Sequence, residues 1–309
     1  MERLISGTTA YGIFDGDLKS GRVSHAYLLD FADAKNLRPA LMLFALRFFG
    51  FDKNPKEANR LLKGGFQDFI FYPEEGKKPA ADGVAEVINE TAMRPAEGDR
   101  RLFILSPFND FSPLLQNKLL KTLEEPPQGA HFILGATSLS PVLDTVKSRV
   151  KILTIPPFSS ASILQALERR GENPLNETAA LSCGGILGEA ENMVEGGWFK
   201  DIAAAAEEIC SATDIGRAGE LAIKYGDTKY KAELLKAVQQ TYYLALCAKV
   251  KNTGGKIAGC WSIPALEYAL QSVDKASADL KFNAFFQGLL FDLMLRIIEE
   301  NDRWLKLRA

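Results

Sequence analysis

The chain of 309 residues has few cysteines and few histidines, which narrows the chemistry that it can carry. Its four cysteines never occur as a CxxC pair, and its only histidines are His25 and His131. Scattered thiols are typical of a reducing compartment, whereas a disulfide framework or a zinc site needs grouped cysteines. Because histidine is the commonest metal ligand, two histidines are too few for a histidine-based site. The sequence therefore predicts neither a bound metal nor disulfides.

Long apolar runs and a surplus of positive charge are also missing. Residues 1–10 contain no apolar segment of the kind that a signal peptide has. The most apolar late stretch, residues 288–298, is interrupted by Asp292 and Arg296 and is too short to cross a bilayer. The formal net charge is −2, so the chain lacks the basic surplus of proteins that bind nucleic acid alone. We therefore expect a cytoplasmic protein without membrane contact, in which any contact with DNA is local or shared with partners.

Short apolar runs alternate with helix-length segments through the first half of the chain. Five runs have the length and composition of buried strands: His25–Phe31, Asp68–Tyr72, Leu102–Leu105, Phe132–Ala136 and Val150–Ile155. Four segments between them have helical patterns: Pro39–Phe49, Gly83–Ala92, Pro113–Glu125 and Pro141–Ser148. Strands that alternate with helices predict a parallel sheet covered by helices on both faces.

After Pro156 and Pro157 the strand pattern stops, and the remaining chain has helical patterns. We predict three domains, an α/β domain at residues 1–157, a small helical lid domain at 158–198 and an all-helical domain at 199–309. A long closing helix is predicted near residues 277–307. The apolar content of residues 281–298 exceeds the needs of one amphipathic face. It fits either an ordinary helical core or a surface for oligomerisation.

Three motifs of the first half resemble those of one known family. HAYLL at His25–Leu29 opens the first predicted strand, and LLKTLEEPP at Leu119–Pro127 lies between the third and the fourth. The triplet Ser148-Arg149-Val150 follows the fourth. In these motifs the chain resembles the clamp-loader subunits of bacterial DNA polymerase III, which are AAA+ proteins. The resemblance covers residues 21–158 and is thin beyond them. It implies a RecA-like AAA+ parallel-sheet domain, then a small helical lid domain and an all-α C-terminal collar domain.

The segment in the position of the family's phosphate loop departs from the pattern. Such a loop needs glycines, so that backbone N–H groups can surround the phosphates, followed by a lysine and a serine or threonine. Here Phe31, Ala34 and Asn36 stand in place of the glycines, and Leu37 stands in place of the lysine. The sequence therefore predicts a plain strand-to-helix connection that holds no cofactor.

The family's magnesium-binding acidic residues are also missing. The strand RRLFIL ends in SPFND, which places Ser106, Pro107 and Asn109 at those positions. Asp110 comes one position late, and we interpret it as an ordinary loop or N-cap residue. Two independent losses predict that the chain is not an ATPase.

Two further family features are altered in this chain. Residues 49–65 contain none of the four cysteines of the family's zinc module, so we expect packing alone to hold this segment. In the lid, the segment CGGILGEAENMV places Glu189 where the family has its sensor arginine. The change at the sensor position agrees with the loss of the nucleotide site.

Ser148 and Arg149 are retained, and the resemblance gives them a role. In ring-forming AAA+ proteins this position faces the neighbouring subunit, where a guanidinium can stabilise charge on the neighbour's γ-phosphate. The resemblance therefore implies that Arg149 is an arginine finger acting in trans and that Ser148 supports it. The alternative is an ordinary surface salt bridge from an arginine at a helix end.

Together these features resemble the non-hydrolysing, delta-prime type of clamp-loader subunit. Such a subunit assembles with gamma/tau and delta subunits, and the complex loads the sliding clamp onto primed DNA. Two alternatives stay open. One is a divergent gamma/tau-type ATPase, which nucleotide would protect against thermal unfolding. The other is an AAA+-derived interaction module outside replication, which would not co-purify with gamma/tau and delta subunits.

Overall fold

The computed structural model describes residues 1–280, 282 and 284–308, and its first half is built on one sheet of five strands. These are β1 (Ala26–Phe31), β2 (Phe69–Tyr72), β3 (Arg101–Leu105), β4 (Ala130–Ala136) and β5 (Lys151–Ile155). They lie in the order β2-β3-β4-β1-β5, and all the pairings are parallel. Each boundary lies within two residues of its prediction. The predicted α/β class with a RecA-like parallel sheet is confirmed.

Helices cover both faces of this sheet. They are α1 (Glu2–Ser6), α2 (Thr9–Lys19), α3 (Ala34–Phe49), α4 (Pro55–Leu62), α5 (Ala81–Thr91), α6 (Pro113–Glu124) and α7 (Asp144–Lys147). Strand β1 shows how the faces are divided, since successive side chains of a strand point to opposite sides. Tyr27, Leu29 and Phe31 pack among residues of α1 to α4, whereas Ala26 and Leu28 pack among residues of α5 to α7.

The sequence patterns placed the start of one helix too late and missed three others. The helix predicted from Pro39 begins at Ala34, because the Asp33 carboxylate accepts a hydrogen bond from the Asn36 N–H and caps it there. Pro39 therefore lies inside α3 rather than at its first position. Helices α1, α2 and α4 were not predicted.

The segment that lacks the zinc module's cysteines folds around aromatic side chains. It contains a 3₁₀ turn at Phe51–Lys53 followed by α4. The ring of Phe66 lies 4.8 Å from that of Phe49 and 5.2 Å from that of Phe51, measured between centroids. Leu61 of α4 is buried in the same core. The segment therefore has an aromatic and apolar core of its own, and the expectation that packing alone holds it stays a prediction.

Beyond β5, the described residues form helices joined by loops, with no further strand. These helices are α8 (Ser160–Glu168), α9 (Asn176–Ser182), α10 (Leu187–Glu195), α11 (Gly197–Cys210), α12 (Ile215–Gly226), α13 (Lys231–Val250), α14 (Lys256–Cys260), α15 (Ile263–Leu280) and α16 (Phe286–Arg308). The long closing helix predicted near residues 277–307 is present as α16, but its start was predicted nine residues too early. Residues up to Leu280 belong to α15, and α16 begins at Phe286. Leu280 packs on the same core as α16, so the apolar pattern continues across the break. Residues 281 and 283 of the predicted apolar stretch lie outside the described residues.

The chain divides into two compact units. The first comprises Met1–Glu172 and Cys183–Ala190, and the second comprises Asn173–Ser182 and Glu191–Ala309. The predicted division into three domains at residues 157 and 198 stays a prediction.

All four cysteines are free. In the part of the chain that the structure describes, no helix has both the length and the apolar content to span a bilayer.

Candidate functional site

The connection between β1 and α3 lies where a phosphate loop would be, and it is very short. Strand β1 ends at Phe31 and α3 begins at Ala34, which leaves only Ala32 and Asp33 between them. The phosphate-loop motif GxxxxGK needs several more residues to surround a phosphate. The geometry here is that of a plain connection, as the sequence predicted.

The side chain of Asp33 fills the N-terminal end of α3. It is 1% exposed, and its carboxylate accepts hydrogen bonds from the Asn36 N–H at 3.1 Å and the Asn36 amide at 2.9 Å. It also accepts one from the Gly188 N–H of α10 at 2.8 Å. A helix N-terminus favours negative charge, and here the chain supplies that charge itself.

The end of β3 carries no carboxylate where the family has its acidic residues. Ser106 is buried, and Asn109 ties the end of β3 to the end of β4. The Asn109 side-chain oxygen accepts a hydrogen bond from the Thr137 N–H at 2.6 Å, and its amide donates one to the Ser138 carbonyl at 2.9 Å. Asp110 is exposed in a 3₁₀ turn, while Ser112 is the N-cap of α6. Of the two interpretations of Asp110, the loop residue is correct.

Apolar packing closes the space between α3 and the sheet. Leu41 of α3 is fully buried, and a Cβ added at Gly135 in β4 would lie 2.4 Å from its Cδ1 atom. The same Cβ would lie 2.8 Å from the Ser106 hydroxyl oxygen. The crevice at this edge of the sheet is therefore occupied by the protein's own side chains.

In the lid segment, Glu189 is exposed on α10, and its correspondence to the sensor position stays a prediction.

Arg149 lies just after α7, and contacts within the chain hold its guanidinium. Its Nε donates a hydrogen bond to Glu124 Oε1 at 2.6 Å, and its Nη2 forms an ion pair with the same carboxylate. Its Nη1 donates to the Thr145 carbonyl at 2.6 Å and to the Ser148 hydroxyl at 3.0 Å. The side chain is 31% exposed. Ser148 therefore contacts the guanidinium directly, and the roles of Arg149 as finger and of Ser148 as its support stay predictions.

Glu124 belongs to the LLKTLEEPP motif, so two motifs found separately in the sequence meet in space. The same helix holds the chain before α7 through Gln116, which is fully buried. The Gln116 amide donates to the Pro141 carbonyl at 2.9 Å, and its oxygen accepts from the Leu143 N–H at 2.9 Å. Helix α6 therefore fixes both α7 and the arginine that follows it.

Three residues of this region were missed by the sequence patterns. Asp33 has the N-cap signal of an aspartate before a helix, and that signal could have located it. Gln116 lies on the apolar side of α6, where a polar residue indicates a buried hydrogen-bond network. Glu124 was inside a recognised motif, but no sequence signal pairs it with Arg149.

Charged side chains around α7 are paired with one another. Lys147 lies 2.7 Å from Asp144, and this hydrogen bond lowers the pKa of the Asp144 carboxyl. Lys151 lies 2.6 Å from Asp17. Across the residues that the structure describes, no three histidine, cysteine or acidic side chains converge as metal ligands would. The absence of bound zinc stays a prediction.

Comparison with known proteins gives a match over the first half of the chain. Residues 7–159 match the family model described as DNA polymerase III, delta subunit. The chain is 25% identical over 166 residues to DNA polymerase III subunit delta' of Bacillus subtilis, covering 51% of this chain and 50% of that protein. It is 32% identical over 124 residues to subunit delta' of Pseudomonas aeruginosa, covering 38% of each. It is 27% identical over 122 residues to subunit gamma of Buchnera aphidicola, covering 39% of this chain and 33% of that protein. The matches thus span half or less of these relatives.

Proposed function

Residues 7–159 belong to the clamp-loader subunits of DNA polymerase III, of the delta-prime type, and on this basis we propose that the whole chain is a non-hydrolysing clamp-loader subunit. It assembles with gamma/tau and delta subunits in the cytoplasm, and the complex loads the sliding clamp onto primed DNA. The chain itself takes no cofactor and contributes an arginine to a neighbour's ATP site.

The observation that carries the non-hydrolysing role is the carboxylate of Asp33 at the N-terminus of α3. Phosphate binding at that place needs free N–H donors and a long, glycine-rich loop. Here the connection has two residues, and the Asn36 N–H already donates to Asp33. The buried carboxylate of Asp33 would also repel a phosphate, because both are negatively charged. At the end of β3, Ser106 and Asn109 offer no carboxylate to hold magnesium.

The contacts of Arg149 support the proposal that it acts in trans. Four of its five guanidinium N–H groups face Glu124, Thr145 and Ser148, so its planar fork is held in one orientation. In the described part of the chain the remaining N–H, on Nη2, has no acceptor. A preorganised, partly exposed guanidinium suits stabilisation of charge that develops on a partner's phosphate.

Two measurements test this proposed function. Calorimetric titration of the purified chain with Mg·ATP should give no saturable heat, and the gamma/tau subunit of the same organism serves as a positive control. Binding at low micromolar affinity would contradict the proposal and favour a divergent ATPase.

Size-exclusion chromatography with light scattering should show one complex of the chain with purified gamma/tau and delta subunits. Elution of the chain apart from them at micromolar concentrations would instead favour an interaction module outside replication.

A further inference from the structure

We propose that the Asp33 carboxylate is a built-in anion that bridges α3 and the start of α10, so that residues 183–188 stay docked on the sheet domain without any nucleotide. The inference concerns the first compact unit alone and does not depend on the clamp-loader role. It assigns to a side chain the bridging contact that a bound phosphate could otherwise provide.

The position of Asp33 is the first step of the argument. Parallel strands present their carboxyl ends at one edge of a sheet, and ligands of such folds bind outside that edge, near helix N-termini. Asp33 is two residues beyond the end of β1, at the N-terminus of α3, and only 1% of it is exposed. A buried carboxylate is costly unless donors satisfy it. It receives hydrogen bonds from the N–H and the side-chain amide of Asn36.

The second step is the donor that comes from far along the chain. The Gly188 N–H lies in the first turn of α10 and donates to Asp33 Oδ2 at 2.8 Å. A Cβ at residue 188 would lie 2.2 Å from Asp33 Oδ1 and 2.7 Å from the Cβ of Lys35. Glycine is therefore required for this close approach, and the carboxylate faces the N-terminal ends of two helices at once.

A second contact holds the same segment from its other end. The Phe158 N–H donates to the Gly185 carbonyl at 2.8 Å, and Gly185 has a φ of +82°, which favours glycine. Residues 183–188 are thus attached to the sheet domain at Gly185 by backbone and at Gly188 by the Asp33 carboxylate. Of the two attachments, only the one at Gly188 depends on a side chain that substitution can remove.

The substitution Asp33→Ser retains one contact of the carboxylate and removes the other. A serine hydroxyl is an N-cap as good as a carboxylate, so Asp33→Ser retains the cap on Asn36. Its shorter side chain does not extend to Gly188. We expect Asp33→Ser to remain folded, while backbone amides of residues 183–190 exchange with deuterium about tenfold or more faster, as for loss of a hydrogen bond to a charged group.

Hydrogen exchange followed by mass spectrometry measures this change, and two controls test whether it is specific to Asp33 and local to residues 183–190. Strand β3 in the same protein should exchange at the wild-type rate. The variant Asp110→Ser, which changes an exposed aspartate of the same domain, should leave residues 183–190 unchanged.

Formate provides a chemical rescue, because it has the shape and charge of the carboxylate removed in Asp33→Ala. Sodium formate, compared with sodium chloride at equal ionic strength, should slow exchange of residues 183–190 in Asp33→Ala and have no effect on the wild type. Wild-type exchange of this segment in Asp33→Ser would overturn the proposal. So would equal effects of formate on Asp33→Ala and the wild type.

Discussion

Replacing Arg149 by alanine distinguishes an arginine finger from a surface salt bridge, because the two roles predict effects of different size in different assays. In the isolated chain the substitution removes the contacts with Glu124, Thr145 and Ser148. Arg149 is 31% exposed and Glu124 is 44% exposed, so solvent screens the pair. Such pairs contribute about 0–1 kcal/mol to the free energy of unfolding. Chemical denaturation of Arg149→Ala should therefore show a loss of about 1 kcal/mol or less.

In the assembled clamp loader the expected loss is much larger. Removal of an arginine finger lowers the rate on the order of 10³–10⁵-fold in the enzymes that define the effect. That corresponds to about 4–7 kcal/mol of transition-state stabilisation, several times the stability effect. The loss should be confined to the one ATP site that faces Arg149.

The assay compares reconstituted complexes that differ only at residue 149. Because the other sites keep turning over, steady-state ATP hydrolysis should fall modestly, whereas loading of the clamp onto primed DNA should fall strongly. Arg149→Lys should rescue poorly, since an ammonium lacks the planar fork. Glu124→Gln retains the arginine and should give an intermediate loss. Complexes with Arg149→Ala that load clamps at the wild-type rate would refute the finger and leave the salt bridge.

Three further predictions concern the isolated chain. No stoichiometric zinc should be found by elemental analysis, since residues 49–66 fold by aromatic packing; one zinc per chain would contradict this. Gly135→Ala should lower the free energy of unfolding by about 1–3 kcal/mol, because the added Cβ overpacks against Leu41. Gly98→Ala should have no such effect, because its added Cβ would have no atom within 4 Å. Equal effects of the two substitutions would refute the closed crevice. Gln116→Ala should cost about 2–3 kcal/mol by leaving buried backbone groups unpaired, and the exposed neighbour Asn117→Ala serves as the control in the same denaturation experiment.

The central strands β1, β3 and β4 were predictable because each is a largely apolar run that is buried along most of its length, whereas the edge strands β2 and β5 are less buried and were found by their length and composition. Strand β1 shows this, since its first four residues are all buried and it begins one residue after the start of the predicted run. Helix α3 shows the limit of local signals. Proline is favoured at the first position of a helix, which pointed to Pro39, but the capping aspartate six residues earlier determines the start.

The contacts that define the candidate site could not be predicted, because they join residues that are distant in sequence. Asp33 and Gly188 are separated by 155 residues, and no local pattern links them. Arg149 and Glu124 were both inside recognised motifs, yet their pairing follows from the packing of α6 against α7. Side-chain partners of this kind depend on the tertiary fold.

The most direct test of the account is the rate of clamp loading by gamma/tau and delta subunits with and without this chain. Loading onto primed DNA can be followed by fluorescence of a labelled clamp, at saturating ATP and fixed salt. The account predicts that loading requires the chain, although the chain itself binds no ATP. An equal loading rate in its absence would contradict the proposal that it is a working clamp-loader subunit.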